Sequence, residues 1–287
     1  MIMKNIGFIG VGYMGYGIAK NILKHKNYLF VIANKNRKPI NKIVNEGAEE
    51  VKSFEDFANK NLDALIMCVT NTPIAKSISE KISKVLNSKT LIIDITTHNK
   101  TGSIETEQIF KSNNINYIEC PVMGGPGQAE EGILGGIVGG SDENFKLSEP
   151  YLKMFCKDYF YFGPVGMGAK SKLLNNFLSL GNAALVNHLA KTASELGLDL
   201  KKVFDVAKLG SGNSAGLIRI FENLLKGDFK GFKFTATNSV KDLSYIQDLL
   251  KDFPEAEKVA EVNKNYFQKA VDDGYGESFI SELIEKK

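Results

Sequence analysis

The sequence predicts an α/β first half, a doubly wound parallel sheet, followed by an all-α second half. Three observations predict it. Short apolar runs alternate with helical patterns between residues 6 and 120. A glycine-rich turn, Gly10-Val11-Gly12-Tyr13-Met14-Gly15, joins the first apolar run to the first helical pattern. After Gly197 the chain reads as helices separated by short breaks, with no strand pattern.

Residues 6–9, Ile-Gly-Phe-Ile, form the first buried strand, and Ile18, Ala19, Ile22 and Leu23 recur behind it at helical spacing. The GxGxxG turn therefore stands where strand passes to helix. Glycines there allow a sharp turn and bring a pyrophosphate against the amides of the helix N-terminus. An idle glycine turn is the alternative. Gly10, Gly12, Tyr13, Met14 and Gly15 are the first candidate dinucleotide contacts. Residues 28–33 form the second strand, whose end should carry the group that reads the adenosine ribose, about twenty residues past the glycines. A carboxylate there would select NAD. The chain has Asn34, Lys35, Asn36 and Arg37 instead. Two cations without a carboxylate suit a 2′-phosphate, so NADP(H) is favoured over NAD(H). A solvated basic loop that tolerates either cofactor is the alternative.

Residues 62–69 form a third strand, followed by Thr70-Asn71-Thr72-Pro73 and a helix to about residue 86. Residues 91–95 form another, ending in Thr96-Thr97. Ligands bind parallel sheets outside the carboxyl ends of the strands. That rule lines Val69, Thr70, Asn71, Thr96 and Thr97 along one crevice with the glycine turn, although such residues also cap helices. Residues 115–120 are a further strand, and Pro121-Val122-Met123-Gly124-Gly125-Pro126-Gly127 follows. Glycines this dense mark a close backbone approach to a ligand, such as a substrate carboxylate, or a hairpin-like turn. A glycine-rich strand over residues 132–140, a helix over 141–155 with Ser141 as its cap, and an aromatic strand over 159–162 complete this half.

The second half opens on a long helix. Gly163, Gly166 and Gly168 lead into it, and no Pro or turn cluster interrupts residues 169–196. Leu173, Leu174, Phe177, Leu178, Leu185, Leu189 and Leu196 go most of the way round, which predicts burial on several sides. Lys172, Asn176, Ser179 and Ala183 share one polar or small face. A lysine on a buried helix, one turn from an asparagine, is costly unless it points into a cleft, where it can donate or accept a proton. A snorkelling helix-start lysine is the bland alternative. Helical patterns follow over residues 199–209, 217–225, 239–250, 257–272 and 278–285, and Lys241-Asp242 reads as the charged first turn of one of them. Arg219 could clamp a carboxylate or make a surface ion pair.

Composition excludes several classes. The chain has 287 residues, 43% of them hydrophobic and 24% charged, with a net charge of +3. That charge is too small to argue for nucleic acid or an anionic membrane as a partner. Cys68, Cys120 and Cys156 are odd in number and lack CxxC spacing, which points away from disulfides and zinc and towards a cytoplasmic setting. No stretch approaches the ~20 apolar residues of a membrane span. The first eighteen residues have regularly placed glycines and no small-residue cleavage site, unlike a signal peptide.

Three separated stretches, in order, resemble the β-hydroxyacid dehydrogenases: residues 10–15, Cys120-Pro-Val-Met-Gly-Gly125, and residues 163–176 with Lys172 and Asn176. Lys241-Asp242-Leu243 resembles a fourth motif of that family. The family includes 3-hydroxyisobutyrate dehydrogenase and the glyoxylate and succinic semialdehyde reductases. The resemblance implies a Rossmann NAD(P)-binding domain over residues 1–163 and a helical substrate and oligomerisation domain over 164–287, joined by the long helix. It implies Lys172 as the catalytic lysine, with Asn176 beside it contacting substrate. It places Met123, Gly124 and Gly125 on the substrate loop, Thr97 beside the nicotinamide, Lys241 near cofactor and substrate, and Asp242 among the substrate contacts. The expected reaction is reversible hydride transfer between NADP(H) and a small carboxylated aldehyde or keto acid, without a metal, in a homo-oligomer. An imine reductase-like enzyme and a non-catalytic NADP-binding protein are the alternatives. Met123 stands where the family usually has serine, and a thioether cannot donate a hydrogen bond to a carboxylate.

Overall fold

The computed structural model describes residues 3–32 and 36–286, which divide into two compact units, Met1–Lys172 and Leu173–Lys287. The division falls inside the long helix, nine residues after the boundary expected at 163/164.

In the first unit the apolar runs pair as a six-stranded parallel sheet. Its strands are β1 (Asn5–Ile9), β2 (Tyr28–Ile32), β3 (Glu49–Val51), β4 (Ala64–Met67), β5 (Leu91–Asp94) and β6 (Asn116–Glu119), in the order β3-β2-β1-β4-β5-β6. This is the Rossmann order, and it reverses direction between β1 and β4. Helices α1 (Tyr13–Lys24), α2 (Arg37–Asn45), α3 (Thr72–Ile82) and α4 (Gly102–Lys111) make the crossovers, with a 3₁₀ turn at Glu55–Lys60. Ile6, Phe8, Val31, Ile66 and Ile93 bury one face of the sheet; Ile9, Leu65, Met67, Ile92 and Tyr117 bury the other. Two covered faces explain why these strands read as continuous apolar runs.

The segment after β6 differs from the expected turn. Val122–Met123 is a short strand, β7, and Pro126–Glu131 is a helix, α5. Pro126 at its first position and Gly132 at its end (φ 74°) are ordinary helix bounds at short range. Helix α5 packs on α1. A Cβ at Gly17 would stand 2.6 Å from the Ala129 carbonyl carbon, and Asn21 Nδ2 donates to Ala129 O at 2.8 Å. With β8 (Leu134–Val138) and β9 (Cys156–Tyr161), β7 forms a second sheet of order β7-β8-β9, antiparallel then parallel. Helix α6 (Asp142–Leu152) lies between β8 and β9 in sequence, and its Ser141 cap accepts from the Asn144 amide at 3.1 Å.

Helix α7 (Met167–Glu195) begins in the first unit and ends in the second. The second unit gathers α7 with α8 (Leu200–Leu209), α9 (Ala215–Leu224), α10 (Ala236–Leu249), α11 (Pro254–Ala270) and a 3₁₀ turn at Ile280–Ile284 around Leu173, Leu180, Phe221, Leu243, Ile246 and Phe267. Two expectations need correction. Leu174, Leu178, Leu185 and Leu189, with Leu196 just past the helix, are exposed, so the leucines expected to be buried on several sides leave one side of α7 open. Lys241 and Asp242 lie in the second turn of α10, because the helix starts at Ala236 rather than at residue 239, with Thr235 capping it by accepting from the Asn238 amide. No helix among the described residues is long and apolar enough to cross a membrane.

Candidate functional site

The register of the first sheet aligns the strand ends. Ile9 pairs with Met67, Met67 with Asp94, and Asp94 with Glu119. The residues that follow, Gly10, Cys68, Ile95 and Cys120, therefore leave the sheet side by side. The glycine turn, the segments 68–71 and 95–97, and the segment 120–123 share one carboxyl edge, next to the β1/β4 reversal.

Each glycine of the turn has its own reason. Gly10 has φ +99°, and a Cβ there would lie 2.1 Å from Cys68 O. A Cβ at Gly15 would lie 2.1 Å from Gly10 O. Gly12 is different: its φ is −107°, and a Cβ would meet nothing within 4 Å. Gly10 and Gly15 are required by the fold, whereas Gly12 leaves open space at the start of α1. No side chain caps α1. Its amides and that open space fit a pyrophosphate. Tyr13 is exposed, while Met14 packs against the core.

Of the cofactor residues expected after β2, Asn34 and Lys35 lie outside the described residues. Arg37 opens α2 and holds Glu50 through two nitrogens, at 2.6 and 2.9 Å, with Asn41 at 3.2 Å. The guanidinium holds the Glu50 carboxyl below its ordinary range. A 2′-phosphate would therefore compete with Glu50 for the fork. Past β4, Asn71 caps α3 by accepting from the Ile74 amide at 3.0 Å. Thr70 is exposed, Val69 and Thr97 are half-buried, and the Val69 amide donates to Thr96 Oγ1 at 3.4 Å.

Beneath these loops lies a polar network that sequence reasoning missed. Asp94 is fully buried; it accepts from the Thr96 amide at 2.9 Å and from Tyr117 OH at 3.1 Å, and it pairs with His98 Nε2 at 2.8 Å. His98 Nδ1 lies 3.2 Å from Thr72 Oγ1, which already accepts from the Asn99 amide at 3.1 Å. The Asp94 carboxylate only accepts, so its bond with His98 is donated by Nε2–H. Burial and the nearby Asp94 carboxylate push the Tyr117 phenol well above its ordinary value, so it stays a donor. The network ties the loop after β5 to the start of α3.

Lys172 Nζ donates to Val122 O at 2.8 Å and stands 3.9 Å from Met123 Sδ. The lysine is half-buried rather than snorkelling freely. In the loop expected to meet substrate, Gly124 has φ +116°, and the Gly125 amide donates to Gln128 Oε1 at 2.9 Å. A carboxylate seeking the Gly125 amide would have to displace Gln128. Glu119, at the end of β6, is fully buried, and its Oε1 accepts from the amides of Gly166 and Gly168 at 2.7 and 2.8 Å. The signal for Glu119 was an acid inside an apolar strand run. In the second unit, buried Asn176 donates to Asp242 Oδ2 at 2.7 Å, and Lys241 Nζ lies 2.8 Å from Asp242 Oδ1. Arg219 lies over the Phe232 ring, 5.5 Å from its centre.

Residues 5–163 match the family model described as the NAD binding domain of 6-phosphogluconate dehydrogenase. Residues 166–286 match that of the NAD-binding of NADP-dependent 3-hydroxyisobutyrate dehydrogenase. The chain belongs to the β-hydroxyacid dehydrogenase family. Mitochondrial 3-hydroxyisobutyrate dehydrogenase of Bos taurus is 30% identical over 256 residues, 85% of this chain and 74% of that one. The probable 3-hydroxyisobutyrate dehydrogenase of Dictyostelium discoideum is 28% identical over 211 residues, 72% of this chain and 65% of that relative, just under two thirds of its length. The solved 3-hydroxyisobutyrate dehydrogenase of Mycobacterium tuberculosis, described with L-serine, is similar in fold at TM-score 0.87 and 20% identity, covering 99% of this chain and 98% of that one. This β-hydroxyacid dehydrogenase is an NAD(P)-dependent oxidoreductase acting on CH–OH donors.

Proposed function

We propose that the chain interconverts a small carboxylated aldehyde or keto acid and its hydroxyacid, with NADP(H) as cofactor and Lys172 as proton donor and acceptor. The observation that carries the reading is the placement of Lys172 Nζ against Val122 O, in the segment that leaves the same sheet edge as the glycine turn. The nicotinamide, when bound, supplies or takes the hydride. Reduction leaves an electron pair on the carbonyl oxygen, and the Lys172 ammonium gives that oxygen its proton; the neutral amine takes the proton back in the reverse direction. Gly12 and the first amides of α1 would hold the pyrophosphate, with Thr70, Asn71 and Thr97 on the adjoining loops. The NADP preference rests on Arg37 and on the absence of a carboxylate at residues 34–37. Asn176, Asp242 and Lys241 are assigned to substrate and cofactor on the family resemblance of residues 163–176 and 241–243.

The test is NADPH oxidation over glyoxylate, succinic semialdehyde, tartronate semialdehyde and methylmalonate semialdehyde, with Lys172→Ala alongside. The wild type should turn over at least one of them. Lys172→Ala should abolish turnover and leave NADPH binding intact. Silence across the panel with tight NADPH binding would favour a non-catalytic binding protein, and robust activity in Lys172→Ala would overturn the lysine assignment. The chain is further read as a homo-oligomer in the cytoplasm. Leu174, Leu178, Leu185 and Leu189 follow one another at spacings of four and seven residues on one exposed side of α7, with exposed Leu196 just past its end, which supports self-association. Light scattering behind a sizing column measures it. Three free thiols support the compartment.

A further inference from the structure

We propose that Glu119 is a positioning residue for Lys172, a role that rests on the reading of Lys172 as the proton donor. The residue before α7 is Gly166, which has no side chain with which to cap the helix. Glu119 supplies the missing acceptor from another element: its Oε1 takes the Gly166 and Gly168 amides. Three residues later, Val122 O takes the Lys172 ammonium. The segment 119–122 thus grips α7 twice, once by the backbone of its first turn and once by the lysine itself.

The gripping segment is itself fixed from the other side. The Glu119 amide donates to Gly139 O at 2.9 Å, the Gly139 amide returns a bond to Glu119 O at 3.0 Å, and the Ile137 amide donates to Pro121 O at 2.9 Å. Pro121 stiffens the link between the two grips. Space has been cleared for the carboxylate. A Cβ at Gly139 would lie 2.3 Å from Glu119 Oε1, and one at Gly168 would lie 3.0 Å from it. A buried carboxylate is a costly cap, and the ordinary Ser or Asp cap is closed to residue 166, where φ is +97° and a Cβ would lie 2.8 Å from Ile104 Cδ1. What the costly form adds is a tie between the β6 end and the helix that carries the amine. Without it, α7 can slide or turn by a fraction of an ångström while Lys172 swings off Val122 O.

The experiment uses the full chain as wild type, Glu119→Ala, Glu119→Gln, Gly168→Ala and Lys172→Ala. Gly168→Ala keeps the carboxylate but puts a methyl against it and against Ile137 O, and serves where Glu119→Ala does not fold. One readout needs no substrate: the acetic anhydride labelling rate of Lys172, by peptide mass spectrometry, relative to exposed Lys258. Glu119→Ala and Gly168→Ala should speed it about five-fold, the factor for one lost hydrogen bond of about 1 kcal/mol. Glu119→Gln, whose amide oxygen still accepts both N–H groups, should stay within about two-fold of wild type. The second readout is kinetic, on whichever carbonyl acid of the panel turns over fastest. In Glu119→Ala, kcat should fall on the order of 10²-fold with the NADPH KM nearly unchanged, and Glu119→Gln should restore it. Wild-type labelling and kcat in a folded Glu119→Ala or Gly168→Ala would overturn the proposal. So would a rise in NADPH KM matching the loss in kcat, the sign of general disorder. Activity in Lys172→Ala would instead refute the proton-donor reading and leave the labelling result to decide the clamp.

Discussion

Gly10 and Gly12 of the first turn should respond to alanine in opposite ways. At Gly12 the backbone is extended, with φ −107° and ψ −151°, and a Cβ would meet nothing within 4 Å. Gly12→Ala therefore costs the folded state little, and the stiffer unfolded chain should make the variant more stable by about 0.4–1 kcal/mol. At Gly10 the backbone is left-handed at φ +99°, and the new Cβ would lie 2.1 Å from Cys68 O. Cys68 cannot retreat freely, because its amide donates to Ile9 O at 2.8 Å. Backbone strain of about 1–3 kcal/mol and overpacking of about 1–3 kcal/mol add up at this position. That sum is a large share of the ~5–15 kcal/mol by which a domain is stable. The open space at Gly12 is where the proposed pyrophosphate would sit, and a methyl there should weaken NADPH binding by about tenfold or more, or at least about 1.4 kcal/mol. Urea denaturation measures the first effect and nucleotide fluorescence titration the second. Gly12→Ala should lose affinity and keep its stability; Gly10→Ala should lose stability. A Gly12→Ala protein that binds NADPH as tightly as wild type would refute the placement of the phosphates.

Other changes test the remaining geometry. Glu50→Ala releases the Arg37 fork and should raise NADPH affinity relative to NADH, whereas Arg37→Ala should lower it; the ratio of the two dissociation constants checks both. Tyr117→Phe keeps the ring and removes the hydroxyl that donates to Asp94, and should cost about 1.5–3 kcal/mol in urea denaturation, as a lost bond to a charged acceptor. Burial raises the Glu119 carboxyl above its ordinary 4.5, against the opposing pull of the Ser103 hydroxyl and the amides of Gly166, Ala169 and Gly168. The folded state thus holds that proton more tightly than the unfolded chain. The resulting stability is fully present below pH 4.5 and is lost as pH rises through the higher folded value. Glu119→Gln has no such proton to lose, so its stability relative to wild type should grow as pH climbs from 4.5 towards neutrality, read from melting temperatures across that range.

Short-range signals determined much of this protein. Apolar runs alternating with helical patterns specify the parallel sheet, since both of its faces must be covered. The turn at Gly10–Gly15 was legible because its needs are local: the backbone requires Gly10 and Gly15, and Gly12 leaves open the space proposed for the pyrophosphate. The breaks after Gly197 specify the helices of the second unit, although α10 begins a turn earlier than its apolar pattern, at the cap set by Thr235. What the sequence could not show depends on partners distant in the chain. Asp94, Glu119 and His98 look out of place inside or beside apolar runs until Tyr117, Thr72, Gly166 and Gly168 come round to meet them. The grip of Val122 on Lys172 spans fifty residues, and the Arg37–Glu50 fork forms only when β3 pairs with β2. The exposed leucines of α7 misled for the same reason: periodicity says how many sides of a helix are apolar, but only packing decides which of them are covered by the chain itself.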